Sequence, residues 1–156
     1  QPVPSGYTWQ APAPLHTPLV PQVAAPLSRQ RACTSSLPAG TLVQADRNRL
    51  AQVLTNLFAN AIAYGREGGQ CTVKAFPLDD QVLVEVSDDG MGISKEHLPR
   101  LFERFYRVGK SRARNEGGSG LGLAIVKHII DVHGGTITAK SVEGEGSTFS
   151  ITLPRG

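Results

Sequence analysis

The chain has 156 residues, and its 16 Lys and Arg stand against 13 Asp and Glu for a formal charge of +3. That length suits one compact domain that needs no metal or disulfide staple, and the mild charge without an aromatic-basic patch does not favour a nucleic-acid surface. No apolar run reaches the ~18 residues of a membrane span, and no basic-then-apolar leader is read at the start, so no signal peptide is expected.

Residues 1–18 carry Pro2, Pro4, Pro12, Pro14 and Pro18 and read as a proline-rich linker or draped arm. Residues 19–156 read as the domain. Its first segment, "LVPQVAAPLSRQ", has weak helical spacing broken by Pro21 and Pro26, and is read as a short helix. "ACTSSL" and "TLVQA" read as two strands separated by Pro38-Ala39-Gly40. From Asp46, a suitable N-cap, Leu50, Val53, Leu54, Leu57, Phe58, Ala61 and Ile62 recur at helical spacing until Gly65 offers a stop. "CTVKAF" and "QVLVEVSDD" predict a hairpin around Leu78-Asp79-Asp80, and "KEHLPRLF" a short helix. A polar loop over Val108–Gly118 precedes a helix over Gly120–His133, and "TITAKSV" and "STFSITL" form a last hairpin across "EGEG". The order predicts an α/β (α+β) two-layer sandwich, a mostly antiparallel mixed sheet with helices on one face. Cys33 and Cys71 are far apart in sequence and lack metal-ligand spacing, and they read as buried free thiols of a cytosolic protein.

"GGSGLGLAIVKHIIDVHGG", residues 117–135, is a glycine-rich turn feeding a helix, where unpaired N–H groups and the dipole's positive end can meet an anion. No register supplies the Rossmann glycines. "VGKS" at 108–111 resembles the tail of a Walker A loop, but its earlier glycine would fall on Arg104. The protein-kinase glycine loop fails too, with no "HRD" or "DFG" triplet present.

Four stretches remain in order: "NLFANAIAY" (56–64), "DDGMGI" (88–93), "FERFYR" (102–107) and "GGSGLGL" (117–123). Together they resemble the N, G1, F and G2 boxes of the catalytic and ATP-binding domain of sensor histidine kinases. That family shares the Bergerat nucleotide-binding fold with type II topoisomerase, chaperone and mismatch-repair ATPases. The likeness runs over 42–154, and "FERFYR" favours the histidine kinases within the superfamily.

Asn56 and Asn60 lie four apart, hence on one side of their helix. An amide oxygen is a hard neutral ligand suited to Mg²⁺. The resemblance implies that Asn60 holds the metal, that Asn56 sits near the phosphates, and that Tyr64 and Ile93 also border the nucleotide. It gives Asp88, rather than Asp89, the adenine exocyclic amine, with Gly90 and Gly92 letting backbone approach the base. Thr148 is read as supporting that contact from below. Gly118, Gly120, Leu121, Gly122 and Leu123 would take the triphosphate on exposed N–H groups. The segment between Phe105 and Gly117 would be a lid, with Lys110, then Arg112 and Arg114, as phosphate partners, and Phe102 and Phe105 pinning its start in an apolar groove.

One position departs from the family. Ala63 stands where a basic or polar residue often touches phosphate, so either the lid supplies that charge or affinity is lower. Also absent is the phosphoacceptor motif "H-[DE]-L-[KR]-[TS]-P". Its only echo, "LHTPL" at His16, lacks the flanking acid and base, while His97, His128 and His133 read as surface or packing residues. The expectation is a kinase fragment that uses ATP and Mg²⁺ but does not autophosphorylate alone. Its expected partners are the parent receptor's phosphoacceptor dimerisation domain and a response regulator. It is expected to be cytoplasmic, the parent receptor anchored in the inner membrane. Two alternatives stay open: a standalone serine kinase or anti-sigma-type regulator, and a degenerate module that holds ATP without transferring its phosphoryl group.

Overall fold

The computed structural model describes residues 8–10, 32–108 and 119–156, of which 8–10 and 32–33 by backbone only. The helix read over Leu19–Gln30 lies outside these residues.

Helix α1 spans Arg47–Tyr64, and the sequence explains both ends. Asp46 is extended, and its carboxylate accepts a hydrogen bond from Arg49 N at 2.9 Å, which satisfies a donor that the first turn leaves unpaired. At the other end Gly65 turns the chain to extended geometry. Between them Val53, Leu57 and Ala61, four apart, form the buried stripe. Strands β1 (Thr8–Gln10), β2 (Ala32–Ser36) and β3 (Leu42–Gln44) precede the helix. After it, β4 (Gln70–Pro77) and β5 (Gln81–Asp88) form a hairpin closed by Leu78 N donating to Gln81 O at 2.8 Å. Helix α2 runs from Gly122 to Val132 and buries Val126, Ile129 and Ile130. Strands β6 (Thr136–Val142) and β7 (Gly146–Pro154) make the last hairpin.

The main sheet has the order β2-β4-β5-β7-β6, with β2 parallel to β4 and every other pair antiparallel. Its register aligns one apolar row after another. Val73 opposes Val86, which opposes Phe149, which opposes Ala139; Ala75, Val84, Ile151 and Ile137 form the next row. These residues and the inward stripes of α1 and α2 make one core, so both helices cover the same face of the sheet. The opposite face carries Thr72, Lys74, Glu85, Ser87, Thr148 and Ser150, with hydroxyl pairs such as Ser87–Thr148 at 2.9 Å.

Four details differ from the sequence reading. The strands on either side of Pro38-Ala39-Gly40 enter different sheets: β2 joins the main sheet, and β3 pairs with β1 inside the proline-rich arm. The segment read as a helix over 95–102 contains a single 3₁₀ turn, Leu98–Arg100, because successive bonds close over three residues. Helix α2 begins two residues later than Gly120, whose φ of 72° is left-handed and outside a right-handed helix. The two cysteines, remote in sequence, are direct partners in the parallel β2–β4 register, and the Cys71 side chain is buried.

Candidate functional site

The site forms where β5 ends, α1 ends and α2 begins. Asp88 is the last residue of β5 and has the parity of Val82, Val84 and Val86, so it shares the helix-covered face. Its Oδ1 accepts from Gly90 N at 2.8 Å. Asp89 has the opposite parity, and its Oδ2 accepts from Gln70 N at 3.0 Å, which ties it to the start of β4. Strand alternation therefore separates the two adjacent aspartates, leaving Asp88 at the cleft.

The loop after Asp88 is held on three sides. Met91 N donates to Tyr64 O at 3.1 Å, Gly144 N donates to Met91 O at 2.7 Å, and Ile93 N donates to Ser141 Oγ at 2.8 Å. Two of its positions need glycine. A Cβ on Gly90 would sit 2.6 Å from both Tyr64 O and Asp88 Oδ1, and one on Gly92, with φ of 70°, would overlap Val142 O. The backbone of Tyr64 thus helps build the loop, while the residue itself is 48% exposed. Ile93 is half-buried and packs against the core.

Thr148 is not beside Asp88. It faces the outer side of the sheet with Ser87, because its parity is opposite to that of the buried Phe149, Ile151 and Leu153. The register partner of Asp88 is Ser147, which is 7% exposed and lies on the cleft side. Ser147 was missed in the sequence, although the apolar alternation of β7 carries the signal. Its Oγ lies 2.9 Å from Ser141 Oγ on β6.

Across the cleft, Asn56 and Asn60 are half-buried on α1. A Cβ on Gly122 would lie 3.7 Å from Asn56 Oδ1, so the start of α2 and this side of α1 form one wall. Leu121, at the N-cap of α2, offers no side-chain cap, and the first-turn N–H groups are left for another acceptor. Leu121, Gly122 and Leu123 are half-buried there, and Gly120 O accepts from Phe105 N at 2.9 Å. Gly118, Lys110, Arg112 and Arg114 lie outside the described residues, as does His16. Ala63 is exposed near the end of α1.

The segment before the cleft's glycine turn is tied down by polar contacts. His97 Nδ1 is 2.7 Å from Tyr106 OH, and Arg100 stacks 4.2 Å over the Tyr106 ring while bonding Glu103. Phe102 packs against the core. Phe105 does not: it is 70% exposed, with φ of 65°, and its backbone rather than its ring makes the contact to Gly120. His133 is structural, its Nε2 accepting from Asp46 N at 3.1 Å and its Nδ1 lying 2.7 Å from Ile129 O.

Among the described residues no group of three or more His, Cys, Asp or Glu could hold a metal. The oxygen ligands at the wall are neutral amides. They fit a hard cation that takes most of its shell from phosphate oxygens and water.

Comparison with known proteins agrees with this geometry. Residues 45–156 match the family model described as histidine kinase-, DNA gyrase B-, and HSP90-like ATPase. The sensor histidine kinase WalK of Bacillus subtilis is 45% identical over 114 residues, 72% of this chain and 19% of that protein. The sensor-like histidine kinase SenX3 of Mycolicibacterium smegmatis is 42% identical over 125 residues, 80% of this chain and 33% of that protein. The chain thus spans a third or less of the length of these relatives. Among solved structures, the catalytic domain of histidine kinase ThkA superposes with a TM-score of 0.69 at 31% identity, covering 80% of each chain. Full-length ShkA, solved in complex with AMPPNP, gives 0.70 at 28% identity, covering 82% of this chain and 26% of that one.

Proposed function

The chain belongs to the histidine kinase-, DNA gyrase B- and HSP90-like ATPase family, and on that premise we propose that it is the ATP-binding catalytic domain of a sensor histidine kinase. It passes the γ-phosphoryl of Mg²⁺-ATP to a histidine on a separate dimerisation domain of the same receptor, from which a response regulator takes it. The observation that carries this reading is the pairing of Asp88 with Ser147 beside the end of α1, the helix whose Asn56 lies against the uncapped start of α2.

In that reading Asp88 accepts a hydrogen bond from the exocyclic amine of adenine. Guanine presents a carbonyl at the same place and meets a carboxylate that cannot donate. Gly90 and Gly92 bring the backbone close to the base, and Tyr64 and Ile93 border it. The N–H groups of Gly118, Gly120, Leu121, Gly122 and Leu123 hold the phosphates, with Lys110 adding charge. Asn60 holds Mg²⁺ and Asn56 orients the phosphates beside it. The cation, when bound, neutralises charge on the transferring group. The described residues contain no helix long and apolar enough to cross a membrane, and a cytoplasmic place beside a membrane-anchored receptor is part of the proposal.

The test is transfer of label from γ-labelled ATP. Alone, the chain is expected to acquire no phosphohistidine, because none of its histidines lies in the phosphoacceptor motif and in-line transfer needs near-attack geometry. A helical hairpin bearing the parent receptor's phosphoacceptor motif is expected to become labelled when added. No label on the hairpin, with ATP bound, would favour a module that holds nucleotide without transfer.

A further inference from the structure

Ser141 stands on β6 opposite Ser147 and has no role in the reading above. Its hydroxyl oxygen meets three groups: Ile93 N at 2.8 Å, Gly146 O at 2.7 Å and Ser147 Oγ at 2.9 Å. A hydroxyl has one proton to donate and two lone pairs to accept with. The carbonyl of Gly146 has no proton, so at 2.7 Å the Ser141 proton must lie between the two oxygens. Ser141 then accepts from the other two partners. One is the Ile93 amide, and the other can only be the Ser147 hydroxyl. Ser147 has thereby committed its single proton to Ser141, and what it presents beside Asp88 is lone pairs.

We propose that Ser141 is a specificity-determining positioning residue: its hydroxyl fixes Ser147 as a hydrogen-bond acceptor next to Asp88, so that the base end of the cleft accepts and does not donate. This rests on the assignment of a nucleotide to the cleft and adds a device that residue types alone do not disclose. A serine free to rotate could turn its proton toward a 6-oxo purine and soften the rejection exerted by Asp88. Held by Ser141 it cannot. The favoured ligand is then a purine whose 6-substituent brings a donor, directly or through a water bound by Ser147, as a 6-amino purine does.

The same serine also anchors Ile93, so loss of the hydroxyl would loosen the loop for any nucleotide. The ratio of two affinities separates the two effects. Calorimetry on the intact chain with Mg²⁺-ATP and Mg²⁺-inosine triphosphate gives that ratio for wild type, Ser141→Ala and Ser141→Thr. The expectation is a fall of about five- to tenfold in the ATP preference for Ser141→Ala, the size of one net hydrogen bond, and its recovery in Ser141→Thr. Ser141→Cys, a weak donor of similar shape, should lower the preference and keeps the test open should the alanine variant not fold. Equal weakening of both ligands in Ser141→Ala or Ser141→Cys would overturn the proposal and leave Ser141 as a loop anchor. Wild-type chain that binds neither nucleotide would overturn the functional reading itself, and this inference with it.

Discussion

Asp88 and Asp89 are chemically identical neighbours, and one residue of strand parity gives them different surroundings. Asp88 faces the cleft, whereas Asp89 holds the start of β4 through Gln70 N. Asp88→Asn exchanges one acceptor oxygen for an amide donor, which can serve the carbonyl of guanine. The expected result is loss of ATP-over-GTP discrimination by about tenfold or more, read by calorimetry, with an unchanged circular dichroism spectrum. Asp46 illustrates a charge used for structure. Its hydrogen bond from Arg49 N holds its carboxyl below the usual value of 3.8, with the Asn48 amide and the positive charge of Arg49 acting in the same direction. A group whose acidity is raised by folding stabilises the fold above its unfolded pKa, and that contribution is lost as the pH falls through the folded value. Asp46→Ala should therefore lower Tm at neutral pH, and the gap from wild type should close as the pH drops below 3.8.

At the scale of elements, α1 is held by its apolar stripe more than by its cap. Leu57 is 1% exposed and lies among β-sheet and α2 side chains of the core. Leu57→Ala should cost about 2–5 kcal/mol in a denaturant titration, from lost transfer energy and the cavity left behind. Sequence revealed the elements whose cause is local. Asp46 and Gly65 bracket α1, and the alternating residues of β4, β5, β6 and β7 mark two hairpins with short turns. What escaped depends on partners distant in the chain. Nothing near residues 8–10 says that they pair with β3, and nothing near Ala32–Ser36 says that this strand runs parallel to β4. Thr148 was read as the support of Asp88 because it resembles the family's threonine in the last strand. The positions of Phe149, Ile151 and Leu153 already turn it to the other face and bring Ser147 in. The exposure of Phe105 was not legible, since an aromatic beside a core segment gives no sign of a left-handed backbone.

For the molecule as a whole, the main sheet consists of two sequence-local hairpins, with β2 added at the β4 edge, meeting along one line, β5 against β7, where Ser87 and Thr148 touch across 61 positions of chain. Asp88 comes from one hairpin, and Ser147 and Ser141 from the other. Asn56 and Asn60 belong to the first part of the chain, and the start of α2 to the second. A cut within 109–118 breaks none of these pairings. The two pieces of a cut after residue 113, 1–113 and 114–156, divide the recognition residues between them, with Lys110 on the first and Gly118 on the second, so the domain has the makings of a split reporter. Co-expressed, they should reassemble along the β5–β7 seam and recover ATP binding that neither has alone. Because nucleotide would bridge the halves, their association should tighten with ATP concentration, which sedimentation of the mixed fragments measures. Association indifferent to ATP would mean that the seam alone holds them and that ligand contacts do not span the cut.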